Sequence, residues 1–173
     1  MIERRLEIKK FEKRNSMWYW TEVKNPFIVA RNYAVIALCR ILPSLRMKNR
    51  LLRMLGVKLG KNVAFGLEST IDVFFPELIE IGDNTMLGYR SVILAHEFVG
   101  DELRTGRVII GKNVTIGANV TVLPGVRIGD NSVISAHSLV NRDIPEGVLA
   151  GGVPAKVIKP IDDMSYQQHY FKK

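Results

Sequence analysis

The residue in this chain best suited to proton chemistry is His96. Near neutral pH a histidine can take the proton of an attacking hydroxyl or amine. His96 stands three residues after Ile93, where a regular aliphatic pattern breaks into a loop. A base at the rim of a loop that closes over substrate is well placed for such work. Two acidic residues lie near it in the pattern, Asp72 and the adjacent Glu97. Glu97 either orients the imidazole or lies in solvent. The other histidines are His137, inside the repeats, and His169, in the tail. No two of the three have ligand spacing within one loop, so no metal site is expected.

The elements that must position His96 follow from that pattern. Ile110, Ile116, Val122, Ile128, Ile134 and Val140 recur every sixth residue. Four places after each stand Val114, Val120, Val126, Ser132, Ser138 and Ile144, all apolar or small. Neither a helix of period 3.6 nor a strand of period 2 explains this step. It is the signature of a parallel β-helix, in which three hexads close one triangular coil of 18 residues. The ladder runs earlier through Leu59, Phe65, Ile71, Ile81, Leu87 and Ile93. The step from Ile71 to Ile81 is ten and that from Ile93 to Ile110 is seventeen, so four and eleven residues are inserted. Both insertions are expected to be loops thrown out from the coil, and loops carry function. Asp72 falls one coil below His96 in the same column of hexads.

The rest of the chain differs in charge. Residues 1–56 hold 13 Lys or Arg against 4 Glu, a net of +9; residues 57–173 hold 12 against 13, a net of −1. The basic excess is either a solvated surface or an attraction to an acidic membrane or polymer. Nucleic acid is not expected, because no binding motif accompanies the charge. A single cysteine, Cys39, excludes an internal disulfide and fits a reducing, cytoplasmic setting. No signal peptide is visible.

Residues 1–25, ending in Trp18, Tyr19 and Trp20, are expected to be an irregular arm or weak helix. Pro26 and Pro43 bracket an apolar run, Phe27–Leu42, too short for a membrane span and apolar nearly all round over residues 33–39. Its cover is a subunit interface or a membrane surface. Residues 44–55 form a second helix, with Ser44 as N-cap, Gly56 as stop, a basic stripe of Arg46, Arg50 and Arg53, and Leu45, Leu52 and Leu55 on another face. Residues 145–160 leave the step and should wrap back along the coil. A short helix capped by Asp162 or Asp163 is expected in the tail.

Residues 57–160 resemble the hexapeptide-repeat acyltransferases, above all the sugar O-acetyltransferases related to maltose and galactoside acetyltransferase. The matching pieces are IEIGDNT (79–85), ILAHEF (93–98), ELR (102–104), IGANVTVLPGVRIGDNSVI (116–134), RDIPEG (142–147) and GGVPAKVI (151–158). The first 56 residues are not explained by the sugar-acetylating members. The resemblance implies an all-β fold, a left-handed parallel β-helix, here preceded by a helical extension. It implies three units: the basic extension 1–56, the acyltransferase domain 57–160 and the tail 161–173. It implies a homotrimer with active sites between neighbouring coils. It also makes His96 the general base, puts Asp72 in the loop that contacts acceptor, where it holds a substrate hydroxyl, and leaves Glu97 as a further acceptor-side residue.

The donor implied is acetyl-CoA. Its pantetheine arm is expected beside Ala118, Ala136 and Asn141, and its phosphates near Arg142, Lys156 and Lys159. Lys156 and Lys159 replace arginines frequent at those places, keeping the charge and losing the bidentate fork. Thr115 stands where sugar acetyltransferases often carry Trp, and His137 where Gly is usual. The expected reaction is acetyl transfer to a hydroxyl of a sugar or glycan, with an amine left open. Two other classes stand beside it. A zinc carbonic anhydrase on this fold needs three histidine ligands. A silent trimeric scaffold would work through its basic surface.

Overall fold

The computed structural model describes residues 4–161. The capped helix expected in the tail lies outside them.

Three parallel sheets carry the repeats. The first holds β2 (Lys58–Leu59), β5 (Ile79–Ile81), β10 (Val108–Ile110) and β13 (Arg127–Ile128). The second holds β3 (Ala64–Phe65), β6 (Met86–Leu87), β11 (Thr115–Ile116) and β14 (Val133–Ile134). The third holds β4 (Thr70–Ile71), β7 (Val92–Ile93), β12 (Thr121–Val122) and β15 (Leu139–Val140). The chain visits the sheets in fixed rotation, so each circuit is one coil.

The register is the one that the aliphatic step demands. Ile110 pairs with Ile128, Ile116 with Ile134 and Val122 with Val140. Where loops intervene, the ladder resumes: Leu59 pairs with Ile81 and Ile81 with Ile110. Every ladder aliphatic is buried except Leu59, which is half-buried. The small companions, from Val63 to Ile144, are buried too, among them Thr85, Ser91 and Ser132. A core of branched aliphatics stacked coil on coil excludes water continuously along the axis.

The first two corners of each coil share one device. The third residue after each inward aliphatic takes a left-handed φ between 53° and 59°: Asn62, Glu68, Asn84, Arg90, Asn113, Asn119, Asn131 and His137. Asparagine tolerates that conformation better than most side chains. Asn84, Asn113 and Asn131 also stack their amides at 3.0 and 3.1 Å. His137 is one of these turn residues, with Nε2 3.3 Å from the Asn119 amide. The third corner differs in that both insertions leave the coil there; after Val122, where nothing is inserted, the same place falls to Gly125 with φ 79°.

A parallel coil has an open first edge whose carbonyls lack partners. Helix α1 (Trp20–Val23) leads into α2 (Pro26–Ile41) and α3 (Leu45–Met54), and α3 closes that edge. Asn49 donates to the Val63 carbonyl at 2.8 Å, Lys48 to those of Phe65 and Gly66, and Arg53 to those of Leu59 and Gly60. Thus Arg53 is not part of a free basic stripe, as the sequence suggested, but a cap on the coil. Ser44 accepts from the Met47 amide, as expected of an N-cap. Of the three leucines on the other face, Leu52 and Leu55 are buried and Leu45 is exposed.

Two expectations are corrected. Residues 7–10 are not irregular: β1 (Glu7–Lys10) pairs antiparallel with β9 (Glu102–Thr105), which pairs with β8 (His96–Val99). The long insertion is therefore a hairpin, completed to three strands by the N-terminus. At the other end, β16 (Val148–Gly152) first extends the second sheet parallel to β14. Only β17 (Ala155–Pro160) turns back, antiparallel to β16.

Candidate active site

Asp72 follows Ile71 at the third corner of the first coil, and His96 follows Ile93 at the same corner one coil on. Had the second coil turned as its other corners do, His96 would occupy the left-handed turn position. Instead the backbone runs outward into β8, and the imidazole swings over Asp72. Nδ1 of His96 lies 2.5 Å from Oδ2 of Asp72.

Asp72 is held rigidly. Oδ1 accepts the amides of Phe74 and Phe75, each at 2.8 Å. Oδ2 accepts those of Ala95 and His96, at 2.8 and 2.9 Å, besides the ring nitrogen. The side chain has no exposed surface. Four amides and an imidazole thus surround one fully buried carboxylate, where charge-assisted bonds are strong. The expectation that Asp72 holds a substrate hydroxyl is corrected: every lone pair is engaged and no substrate reaches it. Its contact is with the histidine.

That contact fixes the tautomer. With Nδ1–H donated to Asp72, Nε2 of the neutral ring keeps its lone pair. Among the described residues no polar group bonds Nε2, and the side chain stays 14% exposed. Aromatic rings wall the rest of the imidazole. Phe74 lies 4.7 Å away between ring centres, Phe98 5.2 Å and Phe75 5.7 Å. Trp20 meets Phe74 edge-on at 6.2 Å. These apolar walls thin the water around the base and strengthen whatever electrostatics act there.

Sequence reasoning missed this cluster, although signals existed. Phe74 is the third residue after Ile71, so the six-residue count sets it directly under His96. Phe98 is two residues along β8 from His96, and alternate residues of a strand share a face. The same alternation turns Glu97 to the other face. It neither orients the imidazole nor lies free in solvent, and pairs with Arg4 at 2.6 Å.

Beside that pair, Arg5 donates twice to Asp143, each bond 2.9 Å, and its backbone amide reaches the Gly125 carbonyl. Gly106 and Gly125 make room for this strap. A Cβ on either would sit 2.6–2.7 Å from the Arg5 carbonyl oxygen. Burial pushes the Asp143 carboxyl up. The Arg5 hydrogen bond and the Arg127 amide outweigh it and hold the group below the usual carboxylate range.

The residues expected to touch donor fall in separate places. Asn141 and Arg142 lie at the third corner two coils beyond His96, with Arg142 Nε 3.4 Å from the Asn141 side chain. Ala118 and Ala136 lie at the second corner, stacked through the His137 amide on the Ala118 carbonyl at 2.9 Å. One chain therefore does not bring these alanines to His96. Lys156 pairs with Gly151 and Lys159 with Leu149, because the register shifts between Leu149 and Ala150 and leaves Ile158 unpaired. Directly opposed residues share a face. The bulge thus sets both lysines on one exposed face of β17, where an unbroken strand would have divided them. Among the described residues no three His, Cys, Asp or Glu converge as metal ligands. His169, the third ligand that a carbonic anhydrase would need, lies outside those residues.

Comparison with known proteins agrees with this architecture. A sequence model of the family described as "Bacterial transferase hexapeptide (six repeats)" matches residues 107–142. The Bacillus subtilis protein named "Putative acetyltransferase YvoF" is 45% identical over 152 residues, 87% of this chain and 88% of its own length. Galactoside O-acetyltransferase of Escherichia coli is 37% identical over 124 residues, 68% of this chain and 60% of its own. A solved galactoside acetyltransferase in complex with coenzyme A superposes with a TM-score of 0.62 at 28% identity, covering 86% of each chain. With the repeat ladder, the parallel coil and these likenesses together, the chain belongs to the hexapeptide-repeat acetyltransferases.

Proposed function

We propose that this protein transfers the acetyl group of acetyl-CoA to a hydroxyl of a sugar or glycan, with His96 as general base and Asp72 as the residue that positions it. The Asp72–His96 pair carries the reading. It presents an unprotonated Nε2 at a site walled by aromatic rings, and similar proteins are galactoside O-acetyltransferases, one of them solved with coenzyme A.

In the reaction, Nε2 takes the proton of the acceptor hydroxyl while its oxygen attacks the thioester carbonyl. The tetrahedral adduct collapses with loss of the CoA thiolate. The imidazolium, stabilised by the Asp72 carboxylate, returns the proton to that sulfur. An acetyl ester and free CoA thiol result, and the base is restored. Asn141 and Arg142 would border the donor from the third corner, Ala118 and Ala136 would let the pantetheine arm approach the backbone, and Lys156 and Lys159 would take the phosphates.

The division of these residues between two corners supports a homotrimer in which the second corner of one copy faces the third corner of the next. The left-handed sense of the coil, the division at residues 56 and 160, and a cytoplasmic setting belong to the same reading. The described residues contain no helix long and apolar enough to cross a membrane. Contact with an anionic membrane surface is the remaining partner.

The test is acetyl-CoA-dependent release of CoA across galactosides, maltose, glycan fragments and amine analogues. His96→Ala should lower turnover by about 10²–10⁴-fold on the best acceptor, the usual weight of general-base catalysis. Wild-type turnover in the folded variant would remove His96 from the mechanism, and preference for an amine would change the product to an amide.

A further inference from the structure

We infer that the outer face of the α2–α3 cap docks on an anionic lipid bilayer. The inner face of α3 is accounted for, since Lys48, Asn49 and Arg53 close the first edge of the coil. The outer face has no cover in the chain. On α2, Phe27 is 87% exposed and Ile41 67%; fourteen residues are close to four whole turns, so both lie on one side of the helix. On α3, Met47 and Met54 are 51% and 71% exposed, two turns apart on one face.

Charge selects the occupant. Residues 23–67 contain nine Lys or Arg and no Asp or Glu; Lys48 and Arg53 turn inward to the coil and Lys24, Arg40 and Lys58 pair with Glu77, Glu68 and Glu80, which leaves Arg31, Arg46, Arg50 and Lys61. Arg46 and Arg50, beside the exposed methionines, point to solvent and form no ion pair among the described residues. A second copy of this cap would oppose like charge to like charge, which disfavours pairing. An anionic bilayer supplies the opposite charge, with an apolar layer beneath it for Phe, Ile and Met. α2 has 16 residues and lies on the coil instead of crossing the bilayer.

Docking would be felt at the active site. Asn32, 1% exposed on the inner side of α2, donates to the Val73 carbonyl at 2.8 Å, between Asp72 and Phe74. Lys24, just before α2, pairs with Glu77 and lies 4.9 Å over the Phe75 ring. The surface that meets lipid is thus bonded to the loop that holds the base and its aromatic wall. Resting on the acetyl-transfer reading above, the acceptor class this favours is a glycan presented at the bilayer, such as a lipid-linked sugar.

The experiment is flotation of the full chain with vesicles of phosphatidylcholine alone and of phosphatidylcholine with phosphatidylglycerol, at low and high salt. Wild type should float only with the anionic vesicles and lose most binding in high salt. Arg46→Glu with Arg50→Glu should lower the partition coefficient by at least about tenfold. Phe27→Ser with Ile41→Ser should lower it also, with circular dichroism and assembly size unchanged. His96→Ala should float as wild type, so a failed acetyl-transfer reading leaves docking standing, and failed docking leaves acetyl transfer standing. Wild type that stays unbound to anionic vesicles at low salt overturns the proposal. So does a Phe27→Ser, Ile41→Ser chain that falls to smaller assemblies, since that face would then be a subunit contact.

Discussion

The bond between Asp72 and His96 does two jobs at once, and a substitution can part them. Asp72→Asn keeps the shape but brings an amide N–H₂ against donors. If its oxygen still serves the Phe74 and Phe75 amides, its nitrogen faces Ala95, His96 and the imidazole. The ring must then turn its unprotonated nitrogen toward Asp72's position, and the nitrogen facing acceptor becomes N–H. We expect turnover to fall by roughly 10²–10⁴-fold, the scale set by losing a base through its tautomer, with little change in KM for acetyl-CoA. Asp72→Ala should fall as far and also lower stability by about 1–3 kcal/mol, since buried amides lose their acceptor. The split between kcat and KM separates the effects: a general structural loss would weaken acetyl-CoA binding as well, whereas loss of the positioning carboxylate lowers kcat alone.

At the scale of elements, what could be read in the sequence depended on whether a segment buries a repeating face. The coil does, so its strands, its register and both insertions follow from the aliphatic step. β1 buries nothing: all four of its residues are exposed, Ile8 by 54%, so no alternation marks it. Its partner is a hairpin that is itself an insertion, and no periodic signal joins the two. The polarity of α3 was legible as charge but not as capping, because the orphan carbonyls it serves belong to a coil edge that exists only after folding. For the site, the histidine and the column of Asp72 could be read; the bond between them could not, since it depends on β8 leaving the turn path. The strap made by β1 should loosen at low pH. Asp143 has a folded pKa below the ordinary carboxylate value, so its pairing with Arg5 adds stability that is whole above that value and lost as pH falls through the folded one. Arg5 is half exposed, so its removal should cost less than about 1 kcal/mol at neutral pH. Hydrogen exchange in residues 7–10 should be faster in Arg5→Ala than in wild type near neutrality. The two should converge in acid, once pH has fallen through the folded pKa of Asp143 and its carboxyl is protonated. A gap that persists in acid would show that Arg5 holds the strap through its backbone contacts on Gly125 instead.

The whole molecule poses the question of where an active site is completed. His96, Asn141 and Arg142 sit at the third corner, and Ala118 and Ala136 at the second, with a strand of the third sheet between them. If neighbouring copies supply the two halves, two dead chains should rescue each other. One chain carries His96→Ala. The other carries Ala136→Trp, at an exposed position where bulk blocks the pantetheine arm without entering the core. Each alone should release little CoA. When the two are unfolded, mixed in equal amounts and refolded together, random trimers place an intact third corner against an intact second corner at about one site in four. Activity should therefore return to about a quarter of wild type. Sites complete within single chains would give no rescue at any mixing ratio, since no chain in the mixture carries both intact halves. A refolded wild-type control and the mass of the mixed assembly distinguish that outcome from failed assembly. The measured fraction also reports geometry: rescue near one quarter requires each site to draw on one pair of neighbours, in rotation around a closed ring.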